Sequence, residues 1–194
     1  IRSMVGMSKE WGWLPRWELY GRETYTMEGD PAIPVIVDSY LKGLRDFDVE
    51  AAYEAMRRSA TTRGESNPIR PDIDPYIEDG YIPVGWFAQD MSGDNSVSHA
   101  LEYYVADNAL AVYAREMGDE AFAEELERRA AGWKNYYCKE YGVLRPICKD
   151  GSFIEPFNPE DGANFSNTVG FHEGSSWNYT FFVPHDVEGL IKLM

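Results

Sequence analysis

Residues 97–137 constrain the fold more than any other stretch, because they carry two helical stripes with a stop and a restart between them. Val97, Leu101, Tyr104, Val105, Asn108 and Val112 recur at the three- and four-residue spacing that gathers side chains on one helix face. Phe122, Leu126, Ala130, Trp133 and Tyr137 do the same. Between the stripes, Gly118 can turn left-handed at a helix end, and Asp119 offers a side-chain oxygen to the unpaired N–H groups of the next helix. Helices joined by so short a turn run antiparallel, so the spacing predicts a helical hairpin.

Other segments repeat the period. Asp30-Pro31 opens a helix with Pro31 at its first position and Ile33, Val37, Tyr40, Leu41 and Leu44 on one face. Asp48 caps a second, marked by Val49, Ala52, Tyr53 and Met56. Ser175 or Ser176 starts a third that runs to about Phe182, and Asp186 caps a last one beginning at Val187, with His185 packed nearby. Two long stretches, Thr61 to Ser96 and Lys139 to Gly174, are rich in Pro, Gly, Asp, Asn and aromatic residues, and loops of that length in a compact domain usually serve function. The expected class is mainly α. By fold analogy, helical hairpins joined by long loops suggest an α/α toroid, in which hairpins stack in a ring around a central pocket.

Composition narrows the partners. With 194 residues, 44% hydrophobic and 26% charged, the chain can bury one sizeable core and reads as a soluble globular domain. Its 33 acidic and 18 basic residues leave a formal net charge of -15, which repels phosphate backbones and anionic lipid surfaces. Nucleic acid and membrane are therefore poor partners, whereas a neutral sugar is not disfavoured. No apolar run approaches the roughly 18–20 residues that span a bilayer, and no signal peptide is visible. A start at Ile1 and an uncapped apolar pattern at Met194 read as truncation at both ends. Cys138 and Cys148 leave two readings open, one small disulfide-closed loop or separate buried thiols.

The densest chemical signal lies in Gly170-Phe171-His172-Glu173-Gly174-Ser175-Ser176-Trp177-Asn178-Tyr179 and on to Asp186. Glu173 stands among Phe171, Trp177, Tyr179 and Phe181, beside a glycine that lets another group approach its backbone. Apolar surroundings can keep a carboxyl protonated near neutral pH, as a general acid at a glycosidic oxygen requires. A following helix N-terminus acts the other way, and a carboxylate that only helps cap that helix is the plainer alternative. Competing motifs are incomplete. A zinc-protease helix would need histidine at Ser176, and Asp72-x-Asp74 lacks the glycine and closing glutamate of a calcium loop. No phosphate-cradling glycine loop or serine nucleophile elbow is present. Trp11, Trp13, Trp17 and Trp86 fall in loop-like segments, where an aromatic face can stack on a sugar or pack a core.

Taken in order and spacing, Gly12-Trp13-Leu14-Pro15-Arg16-Trp17, Met27-Glu28-Gly29-Asp30-Pro31-Ala32, Tyr40-Leu41-Lys42-Gly43 with Asp46-Phe47-Asp48, and Ser98-His99-Ala100-Leu101-Glu102-Tyr103 resemble the mannosidases of glycoside hydrolase family 92. So does Glu173-Gly174-Ser175-Ser176-Trp177-Asn178-Tyr179 with Val183-Pro184-His185-Asp186, the most specific block. Many members carry Asn-Ala in place of Ser175-Ser176, and Gln in place of Asn178. The resemblance covers essentially the whole chain and implies that residues 1–194 are part of a single catalytic domain with an (α/α)6 barrel. It further implies a secreted or periplasmic enzyme with calcium-dependent, inverting exo-action on α-linked mannose, α-1,2 linkages being the expected target. By motif position Glu173 matches the general acid. Asp30 looks like a contact to the terminal mannose, or a plain helix cap, and Trp177 would flank the acid. The general base and the main calcium ligands are expected beyond Met194, and no metal ligand is assigned within the chain. Other readings are a glucoamylase-like hydrolase, a polysaccharide lyase, or a carbohydrate-binding module without catalysis.

Overall fold

A computed structural model describes residues 1–86, 94–163 and 168–194. The remaining parts of the two long stretches lie outside the described residues. Among those described the fold is mainly α, with eight α-helices and two small antiparallel hairpins. The helices are α1 (Arg2–Trp11), α2 (Ala32–Leu41), α3 (Val49–Thr61), α4 (Ile73–Glu78), α5 (Ser96–Glu116), α6 (Glu120–Ala130), α7 (Ser176–Thr180) and α8 (Val187–Leu193). Strands β1 (Glu18–Leu19) and β2 (Arg22–Glu23) pair with each other, as do β3 (Tyr137–Cys138) and β4 (Val143–Leu144).

The helical hairpin forms as its turn chemistry dictates. Gly118 takes φ 81° after α5, and the Asp119 side chain accepts the Phe122 N–H at 3.3 Å to start α6. Asp48 does the same for α3 through Ala51 N–H at 3.1 Å, and Asp186 for α8 through Gly189 N–H at 3.0 Å. His185 Nε2 stands 3.1 Å from the Ala130 carbonyl.

The spacing misplaces several features. Val112 of the first stripe is exposed, and Tyr137 of the second lies in β3, beyond the end of α6 at Ala130. In α2 the buried face is Ile33, Ile36, Val37 and Tyr40, while Leu41 and Leu44 are exposed, because the helix ends at Leu41 and Gly43 (φ 84°) turns the chain away. Pro31 is the cap of α2 rather than its first residue. Trp11 closes α1 rather than lying in a loop.

Helix α5 is the axle of the molecule. It packs against α2, α3 and α6, and α1 packs on α3. Its C-terminal half (Ala106, Leu110, Ala111, Tyr113, Ala114) joins one core with α2, α3 and α6. Its N-terminal half (Val97, Ala100, Leu101, Tyr103, Tyr104) joins a second with Ile73, Tyr76, Trp133, Tyr136 and Phe171. Both faces are thus covered, which is why α5 also buries polar His99 and Asp107. Cys138 and Cys148 are free thiols, the first buried.

Candidate active site

Two segments converge on the first turns of α5. The Gly170 carbonyl accepts from the N–H groups of Val97 and Ser98, at 3.0 and 3.1 Å, two of the donors a helix start leaves unpaired. Ser98 Oγ accepts the His172 N–H at 3.0 Å, and the Tyr179 hydroxyl donates to the His172 carbonyl at 2.6 Å. Gly170 has φ 87°, and a Cβ there would come within 2.6 Å of Pro146 Cγ. The strap 170–172 is therefore pinned on both sides. Glu173 follows it with φ 47°, a left-handed conformation that side-chain-bearing residues adopt only where surrounding bonds impose it. Its side chain is 60% exposed, so the aromatic enclosure expected around it is not formed by the described residues: Phe171 is buried in the core and Phe181 is itself exposed. Trp177, 45% exposed, lies four residues on, and the Tyr179 ring approaches Gly174 as closely as a missing side chain permits. Asn178 Oδ1 accepts the Ser175 N–H at 2.9 Å and steadies the start of α7.

The second segment brings Glu28. Arg16 Nη1 binds the Met27 carbonyl at 2.7 Å, and the left-handed residues Met27 (φ 65°) and Gly29 (φ 78°) bend the chain so that Glu28 points inward. Its Oε1 is buried without a hydrogen-bond partner among the described residues, 3.4 Å from His172 Nδ1 and 3.8 Å from His99 Nε2. His172 Nε2 lies 3.8 Å from Glu173 Oε1. Behind these, Asp72 Oδ2 is 2.6 Å from His99 Nδ1, and the Tyr103 hydroxyl donates to Asp72 Oδ1 at 2.7 Å.

The protonation states follow from burial and neighbours. Burial pushes Glu28 up to about 8, with Glu102 and Asp72 adding to the rise and His99 and Arg16 opposing it. Burial likewise pushes Glu102 up to about 7 against His99 and Arg16. For His99, burial works against the imidazolium, but Asp72 outweighs it and holds the ring above its ordinary range. Asp72 is correspondingly held low by His99 and Tyr103 despite its burial.

Asp30 does not join this group. It is 2% exposed; its Oδ2 accepts from Arg70 Nε at 3.0 Å and from the Ser59 hydroxyl, and its side chain caps no helix. Sequence alone does not single out Glu28, His99 and Glu102: His99 and Glu102 interrupt the apolar stretch from Val97 to Val105, whereas Glu28 lies among polar residues and gives no such signal. Of the loop tryptophans, Trp17 and Trp86 are exposed and Trp13 is half-buried. Among the described residues no three His, Cys, Asp or Glu side chains are placed to hold a metal ion.

Gly29 is a point where this packing can be tested. A Cβ at that position would lie 2.6 Å from Glu102 Cβ, and alanine resists the positive φ. Gly29→Ala is expected to destabilise the fold by about 2–4 kcal/mol, read as a lowered thermal unfolding midpoint. A midpoint equal to that of the wild type would show that the contact with Glu102 is slack.

Comparison with known proteins settles the family. The model of the glycosyl hydrolase family 92 catalytic domain matches residues 1–194. The chain belongs to glycoside hydrolase family 92. It is 28% identical to an uncharacterized secreted glycosidase of Arthroderma benhamiae over 209 aligned positions, covering 96% of this chain and 27% of that protein. Among solved family 92 structures, an inverting mannosidase of Bacteroides thetaiotaomicron superposes with a TM-score of 0.85 at 28% identity, covering 99% of this chain and 25% of the other. An α-mannosidase of the same organism gives a TM-score of 0.82 at 31% identity, covering 97% and 24%. That enzyme has also been solved with mannoimidazole, at a TM-score of 0.83. The chain thus spans about a quarter of the length of the family 92 relatives it matches.

Proposed function

We propose that a family 92 catalytic domain carrying this segment hydrolyses terminal α-linked mannose from mannose-containing glycans with inversion, and that Glu173 is its general acid. The supporting observation is the presentation of Glu173: a carboxyl forced outward at a left-handed residue by a strap pinned to α5, four residues before the exposed Trp177. In this reading Glu173 gives its proton to the departing glycosidic oxygen, while a second carboxylate directs water to the opposite face of the sugar. Inversion needs that carboxylate about 6.5–9.5 Å away, and it must be ionised. By the family resemblance, that base is proposed to lie beyond Met194.

Trp177 is proposed to line the sugar subsite. Asp30 is proposed to act from beneath, holding the 27–30 segment through Arg70, rather than by touching sugar. The helices are read as part of an (α/α)6 barrel within a single catalytic domain. Calcium, expected in this family to bind mannose hydroxyls, would be held by groups outside the chain. Secretion is proposed by likeness to the secreted glycosidase of Arthroderma benhamiae; no helix among the described residues is long and apolar enough to cross a membrane.

The test is release of free mannose from an α-1,2-linked mannobiose by the complete domain, with and without a calcium chelator. Mannose that appears and is abolished by the chelator supports the reading. An unsaturated product absorbing in the ultraviolet would replace it with a lyase, and sugar binding without release would replace it with a binding module.

A further inference from the structure

We propose that Glu28 and His172 are positioning residues for Glu173, and that the two carboxyls share one proton through the two ring nitrogens of His172. The inference rests on the reading of Glu173 as the general acid. Its basis is geometric: the imidazole stands between the two groups, with Nδ1 3.4 Å from Glu28 Oε1 and Nε2 3.8 Å from Glu173 Oε1.

The shared proton has two forms. In the first, Glu28 is protonated, His172 carries its hydrogen on Nε2, and Glu173 is a carboxylate. Passing the Glu28 proton to Nδ1 and the Nε2 hydrogen to Glu173 gives the second. Glu173 is then the acid, His172 is neutral in its other tautomer, and Glu28 is the carboxylate. The proton count and net charge are the same in both, so the exchange needs the two contacts to shorten to hydrogen-bond length and the Asn95 amide to turn its N–H away from Nδ1.

The surroundings act on both forms. Asn95 Nδ2, 3.1 Å from Nδ1, donates to that nitrogen when it bears a lone pair and so favours the first form. Burial, Glu102 and Asp72 also keep Glu28 neutral. His99, its imidazolium held by Asp72, faces Glu28 Oε1 across 3.8 Å and favours the second, as does Arg16. Tyr179 closes the remaining side, and its phenol, pushed up to about 12 by burial and by Glu28, Glu102 and Glu173, stays neutral throughout. Two carboxyls coupled in this way lose their protons in two steps, the second at higher pH than an uncoupled group. Glu28 thus extends the pH range over which Glu173 can act as an acid, after each turnover as well as before it.

The experiment is the pH dependence of kcat/KM for Glu28→Gln and His172→Gln in the complete domain, on a mannobiose and on an activated aryl mannoside that leaves without a proton. Each substitution is expected to move the alkaline limb for the mannobiose about one pH unit toward acid. The aryl mannoside limb is expected to stay in place, and the double variant to move no further than either single one. A uniformly lowered rate with an unmoved limb, or shifts that add, would overturn the proposal. Glu173→Gln run in parallel separates the two readings. If it spares mannobiose turnover, the general-acid assignment fails. If it abolishes that turnover while the Glu28→Gln limb stays put, only the shared proton fails.

Discussion

Glu173→Gln in the complete domain is expected to lower kcat/KM on mannosides with poor leaving groups by about 10²–10⁴-fold, the range a positioned general acid contributes. The amide keeps the shape of the side chain and its place on the strap, so the loss reports the missing proton. An aryl mannoside with an activated leaving group departs without protonation and is expected to keep most of its rate. The strap explains why the fold should survive the change: its anchors are the Gly170 carbonyl on α5, the His172 N–H on Ser98 and the Tyr179 hydroxyl on the His172 carbonyl, none of which involves the Glu173 carboxyl. Equal losses on both substrates would remove Glu173 from the acid role.

The second large effect is expected in the interior. Arg70 is fully buried, donating to Asp30 through Nε at 3.0 Å and to Asp107 through Nη1 at 2.6 Å. The Tyr76 hydroxyl donates to the other Asp107 oxygen at 2.9 Å, and the guanidinium lies 4.9 Å from the centre of the Tyr103 ring. Burial works against the charge on Arg70, but Asp107 and Asp30 outweigh it and hold it cationic. Arg70→Met leaves Asp30 without its cation and Asp107 with only Arg129, 3.9 Å away, and is expected to cost about 3–5 kcal/mol of stability. A denaturant titration measures it, and adding Asp30→Asn and Asp107→Asn is expected to recover part of the loss. An unfolding midpoint unmoved by Arg70→Met would mean that the carboxylates find other partners. Because Asp30 adjoins Gly29 and Glu28, the same substitution is expected to disturb the floor of the site.

The resemblance offered Asp30 as a sugar contact or a helix cap and did not single out Glu28, two positions earlier in the same block. Sequence offers no way to choose between them. One faces Arg70 and Ser59 and the other His99 and His172, and the partners lie between 29 and 144 residues away along the chain. The left-handed Met27 and Gly29 on either side of Glu28 decide which carboxyl turns where. Leu41 and Leu44 were misread for a related reason: periodicity shows which residues would share a face if the helix continued, but not where tertiary contacts end it.

The sequence by itself determined the helical class, the hairpin at Gly118-Asp119 and the caps at Asp48, Asp119 and Asp186. These depend on interactions within a few residues, where local chemistry is sufficient. It also marked Glu173 as the residue to watch, because a carboxylate beside glycine and aromatics is unusual at any single position. Only the tertiary structure decided that Glu173 faces outward, that burial raises the Glu28 and Glu102 carboxyls, and that His172 stands between two carboxyls. Burial and Coulomb energies depend on distances through space, and those appear only when the segments around residues 28, 99 and 172 meet at the start of α5.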